Sequence, residues 1–383
     1  MVQLSVVVPT YNEGGHIVSF LSDLEASCAG HDYEIVVVDD NSPDGTFRKV
    51  ETYAQSHARI VPVLRTKEKG LATAVIEGMR RSRGDFVVVM DSDYQHPPEA
   101  VPRLLEAALS QQADCVVASR YARDGSVTGF PLSRRVISWG ARTIAILGLP
   151  VVRKFRLRDP MSGFFLVRRD RVPIGELRPR GYKILLEVLA RAPLERVVEV
   201  GFAFQNRRSG QSKLRVKTQY DYFMHVWKLA LRDRENRRIA AFTLVGASGV
   251  LVNLAIIALF IERLGWGDRW NRVVAGQVFL LGTFFAGVIA REAAVLWNFV
   301  LNDFVTFGDK RQHAHARFFH RMLRFHIVSL GAFVVYLLVF YPLIHVHVHY
   351  FLASLVAILA SFFLNYRGNF RWTYERRREA QHP

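Results

Sequence analysis

In the stretch VVVMDSDYQHPPE, residues 87–99, an apolar run leads straight into Asp91, Asp93 and Gln95, three oxygen-bearing side chains at alternate positions. In extended backbone alternate residues point the same way, so the three can converge on one small, hard cation. Mg2+ takes one or two carboxylates and completes its shell with substrate phosphates and water. A lone D-x-D is more often a turn. This one follows a buried-strand pattern and continues into Gln-His-Pro-Pro-Glu, which makes a metal-binding edge the stronger reading.

Two other strand-like runs end in the same chemistry. VVPTYNE brings Tyr11 and Glu13 off the first run, and VVVDDNSPDGT brings Asp39, Asp40 and Asp44 off the second. Asp, Asn, Pro and Gly are also ordinary turn formers. Three strands ending in acids on one edge favour a polar ligand, because open α/β sheets bind ligands outside the carboxyl ends of their strands. No G-x-G-x-x-G follows the first strand, and no G-x4-G-K-[ST] or G-x-S-x-G occurs, so the dinucleotide, P-loop and serine-hydrolase readings lack their fingerprints.

These residues require a scaffold. Apolar β-branched runs at 4–8, 34–39, 59–64, 85–90 and 114–119 alternate with helical patterns such as EGGHIVSFLSDLEAS and GLATAVIEGMRR. Near-continuous apolar strands separated by helices predict a parallel sheet covered on both faces. The chain has 383 residues, half of them hydrophobic, with 51 Lys and Arg against 34 Asp and Glu and a net charge of +17. That length predicts two parts, and that mixture predicts a membrane protein with a basic cytoplasmic face. The basic residues are dispersed and carry no nucleic-acid-binding signature, which ranks nucleic acid low as a partner. Cys28 and Cys115 fit no ligand pattern and read as reduced thiols. The N-terminal apolar run is too short for a signal peptide, so the start is expected in the cytosol.

Beyond about residue 236 the pattern changes to long uncharged runs, predicting four spans at about 239–261, 273–300, 325–344 and 350–368. Arg232, Arg234, Arg237 and Arg238 precede the first span; Lys310, Arg311, Arg317, Arg321 and Arg324 lie between the second and third; Arg376, Arg377 and Arg378 close the chain. Both termini and the catalytic half are therefore expected on the cytoplasmic side, although Arg263, Arg269 and Arg272 weaken the contrast. NFVLNDFVTF (298–307) and NYRGNFRWTY (365–374) share Asn, a second Asn four residues on, Thr at eight and an aromatic at nine. Arg238 and Phe242 match Arg321 and Phe325 in the same way, which predicts two hairpins from a duplicated unit. Between the halves, residues 213–236 are expected to form an interfacial helix with Tyr220, Phe223, Trp227 and Leu231 on one face. A helix packed on the α/β core is the plainer alternative. Arg291 and Glu292 inside the second apolar run suggest a bend or end near residue 290. The alternating His345, His347 and His349 read as polar interface residues more readily than as a metal site.

In order along the chain, VVPTYNE, VVDDNSPDGT, DSDYQHPPE, SRY, DPMSGFF, GYKILLE and NRRSGQSKL resemble the polyprenyl-phosphate glycosyltransferases of glycosyltransferase family 2, and the dolichol-phosphate mannose synthases most closely. The motifs cover about residues 5–214, and the four spans resemble the GtrA-like membrane domain. The resemblance implies an α/β GT-A catalytic domain, Rossmann-like with a mostly parallel sheet, over 1–212. An all-α four-helix transmembrane domain would follow over 237–383. It implies that Pro9, Tyr11, Glu13, Val38, Asp40, Asp91, Lys183, Arg207 and Lys213 hold the nucleotide-sugar. Asp91, Asp93 and Gln95 would ligate Mg2+ or Mn2+, and Arg120, Arg134, Arg135 and Ser162 would meet the acceptor phosphate. Asp91, Asp93 and Arg120 are the implied catalytic residues. Tyr94 departs from the family's usual Leu and lies between ligand positions.

The implied reaction is an inverting, metal-dependent transfer of a hexose, foremost mannose from GDP-mannose, to dolichyl or polyprenyl phosphate. A phosphate monoester has a second pKa near ~6 and is already a nucleophile at neutral pH, so no general base is required. The demand is electrostatic, and a metal with an Arg/Lys cluster answers it. UDP-glucose is the alternative donor. A processive polysaccharide synthase is disfavoured, because Gln205 to Ser209 reads Q-N-R-R-S where those enzymes have Q-x-x-R-W. A non-enzymatic flippase of lipid-linked sugars is supported only by the duplicated hairpin.

Overall fold

A computed structural model describes residues 2–67, 69–127, 132–178, 183–204, 216–266, 271–274, 277–311 and 317–374. The chain divides into two units, Met1–Asp233 and Arg234–Pro383.

In the first unit, runs of Val and Ile form β1 (Leu4–Thr10), β2 (Tyr33–Asp39), β3 (Ile60–Leu64), β4 (Phe86–Val89) and β5 (Cys115–Ser119). These match the apolar runs to within two residues, since β-branched chains suit the pleated backbone. Helices α1 (Ile17–Cys28), α2 (Thr46–Ala54), α3 (Leu71–Arg81) and α4 (Ala100–Ser110) alternate with them. The sheet order is β3-β2-β1-β4-β7-β5-β8, with β7 (Phe165–Arg168) and β8 (Val197–Gly201) completing seven strands. All pairings are parallel except those of β7, which runs antiparallel between β4 and β5. Both faces are covered. Val7, Val36 and Val38 face α3, while Val6, Val8, Ile35 and Val37 face α1 and α4. In register, Thr10 pairs with Asp39 and Val7 with Val89, so β1, β2 and β4 end at one edge.

Helix α5 (Leu132–Gly148) is followed by α6 (Pro150–Lys154), α7 (Ile184–Arg191) and α8 (Val216–Ala230), and the short strands β6 (Ser126–Val127) and β9 (Ala203–Phe204) pair apart from the main sheet. Helix α8 has two apolar faces. Tyr222, Val226 and Leu229 are buried in the core, with the Tyr222 hydroxyl donating to Ala141 O at 2.6 Å. Tyr220, Phe223 and Trp227 are exposed, the last two stacked with centroids 6.3 Å apart. Helix α5 likewise exposes Ile137, Trp139, Ile144 and Leu147. Side chains that large and apolar left exposed on two helices suit a headgroup layer better than water.

The second unit has four helices long and apolar enough to cross a membrane: Arg234–Arg263, Leu281–Thr306, Phe318–His345 and Tyr350–Thr373. Even the shortest, 24 residues, reaches about 36 Å at 1.5 Å per residue, beyond the ~30 Å hydrocarbon core. The second span departs from expectation at its start. Asn271–Val274 and Gln277–Leu280 pair as an antiparallel hairpin, so the apolar run from 273 contains β structure before the helix begins at Leu281. The helix Leu281–Leu301 runs through Arg291 and Glu292, so the span does not end near residue 290. Arg291 and Glu292 meet each other at 3.3 Å, and His326 lies 3.4 Å from Glu292. His349 is an N-cap, accepting from Phe351 N at 3.3 Å.

The duplicated motif has a structural counterpart. Both copies turn into π-helix, at Asn302–Thr306 and Asn369–Thr373. The repeated aromatics, Phe307 and Tyr374, stack on each other with centroids 4.4 Å apart. The repeated arginines each reach the other hairpin: Arg321 makes a bidentate, fully buried pair with Asp303 at 2.9 and 3.0 Å, and Arg238 lies over the Phe370 ring. Removing one partner of such a pair strands a charge in a low-dielectric interior. Asp303→Ala is therefore expected to cost about 3–5 kcal/mol, read as a lowered unfolding midpoint of the solubilised chain. Asp303→Leu combined with Arg321→Met should recover most of that loss.

Candidate active site

The shared edge of β1, β2 and β4 is built from loops that turn sharply. Asn12, Asn41 and Tyr94 all have positive φ, near 60°. Asn tolerates that conformation; for Tyr it is strained and must be held by its surroundings. Tyr94 is held. Its hydroxyl donates to Asp23 Oδ2 at 2.8 Å, and its ring meets Phe20 edge-on at 5.3 Å. The left-handed turn changes how the acids are presented. Residues 92–96 bend rather than extend, and Gln95 N donates to Asp93 Oδ1 at 3.1 Å. Strand alternation therefore does not orient Asp91, Asp93 and Gln95; a side-chain-capped turn does.

Asp93 and Gln95 are buried, while Asp91 is about one-third exposed at 35 %. Among the described residues no three His, Cys, Asp or Glu side chains are gathered into a metal-binding group. A cation here would take a mixed set: the Asp91 and Asp93 carboxylates, the Gln95 amide oxygen and the phosphates of a donor. All are hard oxygen ligands of the kind Mg2+ and Mn2+ accept, so the residues fit such an ion.

His96, which the sequence reading passed over, ties this loop down. Its Nδ1 accepts from the Asp91 amide at 2.9 Å, which leaves the ring proton on Nε2. The ring stacks on Phe164 at 5.1 Å. A Cβ on Gly163 would lie 3.3 Å from His96 Cε1 and 3.7 Å from Asp91 Oδ2. The segment DPMSGFF thus packs directly on the acid loop, and only a residue without a side chain fits there comfortably. Burial pushes the imidazole pKa down from 6.5 to about 4, against the opposing pull of Asp93 and with the help of Arg120.

The same segment holds the cations. Asp159, wholly buried, receives Arg120 Nε at 2.7 Å, Nη2 at 2.8 Å and the Arg120 amide at 3.1 Å. Arg120 also lies over the Phe204 ring, at 5.4 Å. A bidentate carboxylate and an aromatic face fix the guanidinium plane. Glu199 Oε1 accepts the amides of Arg158 and Asp159, at 2.9 and 2.8 Å. Lys183 Nζ donates to Met161 O at 3.0 Å. Ser162 is buried, and its hydroxyl is turned to its own segment, donating to Phe164 O at 3.1 Å. Asp159, Glu199 and His96 are supporting groups that no spacing rule singled out. They act through backbone amides and through one another.

At the other strand ends the expected nucleotide-binding residues divide into two kinds. Asp40 is buried with both oxygens engaged, Oδ1 by Arg65 Nη1 at 2.7 Å and Oδ2 by Gly70 N at 2.6 Å. Asp39 caps the turn through Ser42, and Asp44 joins the loops through Gly14 N at 2.8 Å and Thr46 Oγ1 at 2.6 Å. Burial works to raise the Asp44 pKa, but the hydrogen bonds from Thr46 and Gly14 outweigh it and the net shift is downward. Pro9 and Val38 face each other in register and are buried, so they shape the edge. Tyr11 is exposed, with Lys69 Nζ 5.4 Å above its ring, and Glu13 Oε2 meets His16 at 3.1 Å. Arg207 and Lys213 lie outside the described residues, as do the side chains of Arg134 and Arg135, whose backbone belongs to α5.

A family model described as "Glycosyl transferase family 2" matches residues 5–172, and one described as "GtrA/DPMS, transmembrane domain" matches residues 241–374. The chain is similar to a dolichol-phosphate mannosyltransferase of Pyrococcus furiosus, 39% identical over 95% of this chain and 97% of that one. It is also similar to a dolichol-phosphate mannosyltransferase of Saccharomyces cerevisiae, 36% identical over 60% of this chain and 87% of that one. An undecaprenyl-phosphate mannosyltransferase of Micrococcus luteus is 34% identical over 54% of this chain and 86% of that one.

Because His96 is neutral when folded and protonates near pH 6.5 when unfolded, its contribution to stability is complete above about pH 6.5. It is lost as pH falls towards 4, a total of about 3 kcal/mol. His96→Asn keeps an acceptor for the Asp91 amide and does not titrate. Unfolding midpoints measured from pH 7 to 4.5 should therefore fall less steeply in that variant than in the wild type; identical slopes would contradict a buried neutral His96.

Proposed function

The chain belongs to the dolichol-phosphate mannosyltransferases of glycosyltransferase family 2, and on that premise we propose that it transfers a mannosyl group from GDP-mannose, with inversion, to a dolichyl or polyprenyl phosphate. It is an integral membrane enzyme. The observation that carries the reaction is the packing of the acid loop against the cation-bearing DPMSGFF segment across His96 and Gly163. Acceptor and donor are both anionic, and only a site holding fixed positive charge beside a metal-binding edge brings them together.

The strand-end loops around Tyr11, Glu13 and Asp40 receive the nucleoside, and Asp91, Asp93 and Gln95 face the diphosphate. Bound there, Mg2+ or Mn2+ would stabilise the negative charge that builds on the leaving diphosphate. An oxygen of the lipid phosphate attacks the sugar's anomeric carbon. That C–O bond forms as the bond to the donor diphosphate breaks, and a single in-line displacement inverts the centre. No proton need be removed from the nucleophile, since a phosphate monoester ionises with a second pKa near ~6. Arg120, oriented by Asp159 and the Phe204 ring, and Lys183 supply the positive charge that meets the phosphates. By resemblance to the family, Arg134 and Arg135 are assigned to the acceptor phosphate and Arg207 and Lys213 to the nucleotide-sugar. The exposed apolar side chains of α5 and α8 support a catalytic unit that rests on the headgroup layer. The arginines flanking the spans support a cytoplasmic position for that unit and both termini.

Purified chain supplied with labelled nucleotide-sugar, divalent metal and a polyprenyl phosphate should give a single-sugar lipid, with GDP-mannose used in preference to UDP-glucose. Polymer, or no turnover with any donor, would overturn the reading. Asp93→Ala should lower transfer by about 10²–10³-fold or more while the protein stays folded and membrane-bound. Deleting the chain after about residue 236 should reduce stability or lipid access more than nucleotide binding, measured by comparing nucleotide affinity in the two proteins.

A further inference from the structure

Helix α8 carries, beside its two apolar faces, a basic edge that the proposed reaction does not use. His225, Lys228 and Arg232 recur at spacings of three and four residues, which puts them on one side of the helix. Together with Leu229, and with Glu187 and Arg191 of α7, they line a cavity of about 260 Å³ that lies wholly within the first unit. Lys228 and Arg232 are exposed, so one side of the cavity reaches the surface; His225 and Glu187 are each 1 % exposed. The carboxylate is already engaged. Glu187 Oε2 accepts from Arg191 Nε and, at 3.4 Å, from Arg178 N, while Glu187 Oε1 lies 3.9 Å from His225 Nδ1. Three cations thus stand against one carboxylate around a small space. Their mutual repulsion is relieved by an anion, and a cation is rejected.

This charge is separate from the cations assigned to the reaction. Lys183, the N-cap of α7, is turned to Met161 O at the catalytic edge, whereas Arg191 ends the same helix. Eight residues put Arg191 about 12 Å further along the axis. The cavity volume falls below the roughly 300–1,000 Å³ that encloses a whole drug-sized ligand, so it suits one phosphate headgroup and not a nucleotide-sugar.

The surroundings identify the source of the phosphate. At about 100° per residue, Lys228 and Arg232 fall between the buried face of Tyr222, Val226 and Leu229 and the exposed face of Tyr220, Phe223 and Trp227. On a helix lying in the headgroup layer that boundary is where lipid phosphates meet the protein. The chain fixes the level as well. Two residues after Arg232 begins the helix Arg234–Arg263, long and apolar enough to cross a membrane. Ile239, where its uncharged run starts, is seven residues beyond Arg232, which keeps Arg232 within about 15 Å of the hydrocarbon by chain length alone.

We propose that this cavity binds the headgroup phosphate of an anionic bilayer phospholipid, a ligand distinct from both substrates. Lys228 and Arg232 meet the phosphate oxygens, Arg191 adds positive charge while held by Glu187, and the exposed rings of α8 rest among neighbouring lipids.

The test uses the full chain in neutral maltoside micelles, with phosphatidylglycerol as the probe and zwitterionic phosphatidylcholine as the control, the bound lipid being counted by native mass spectrometry. The wild type should retain one phosphatidylglycerol per chain at concentrations where phosphatidylcholine is lost. Lys228→Gln combined with Arg232→Gln should weaken that binding at least tenfold and leave the unfolding midpoint in lipid-free micelles unchanged. Lys228→Arg combined with Arg232→Lys should keep it. Arg367→Gln combined with Arg371→Gln removes the same charge from exposed positions on the fourth span and should bind as the wild type does. Equal loss in that control would reduce the effect to diffuse attraction and overturn the proposal. So would displacement of the phospholipid by an equal concentration of inorganic phosphate, which would make the site one for a free anion. Displacement by polyprenyl phosphate, together with slower sugar transfer in the glutamine variant, would make it part of the acceptor site and overturn the proposal too.

Discussion

The placement of β1 between β2 and β4, parallel to both and in register with them, is the constraint from which the catalytic half follows. Parallel pairing puts the carboxyl ends of all three strands at one edge, and burial on both faces leaves the chain nowhere to place polar groups except there. The acids of VVPTYNE, VVVDDNSPDGT and DSDYQHPPE are thereby gathered from positions up to about eighty residues apart. Much of this acid is structural. Asp39, Asp40 and Asp44 spend their oxygens on backbone amides, hydroxyls and Arg65, and they hold the loops on which more accessible groups are displayed.

The antiparallel strand β7 introduces the second half of the site. By inserting between β4 and β5 it carries DPMSGFF alongside the strand that delivers Asp91 and Asp93. Opposite charges are then brought close while each is anchored to its own partner: Arg120 on Asp159, and the acid loop on His96 and on the Tyr94 anchor to Asp23. Preorganised charge of this kind suits the proposed sugar transfer between two anionic reactants, because little reorganisation is left to the moment of transfer.

The membrane unit applies a different economy. Its duplicated hairpins exchange arginines, stack Phe307 on Tyr374, and place the same Asn-x3-Asn-x3-Thr signature on two π-turns. A π-turn frees backbone groups that an α-helix would pair, and the asparagines answer some of that freed capacity. The repeat has nonetheless diverged. Asp303 stands where the second copy has Phe370, and the hydrogen-bond chain from Thr373 through Asn369 to Asn365 that closes the second copy is left open in the first.

Sequence alone determined whatever depends on local pattern. Runs of Val and Ile located β1 to β5, uncharged stretches located four spans, and the aspartates at strand ends marked the sheet edge where the candidate site is proposed, because side-chain shape and burial act residue by residue. Local pattern misled where two structures share one composition: the apolar run from Val273 contains a β-hairpin before its helix, and Asp91 to Gln95 form a turn rather than an extended ligand ladder. Only the tertiary structure decided that Asp159 clamps Arg120, that His96 holds the Asp91 amide, that Glu292 meets His326, and that one asparagine repeat is closed and the other open. Each of those contacts, except within the repeats, joins residues from separate segments or acts through a backbone amide. Their existence is set by packing distances that no spacing along the chain encodes.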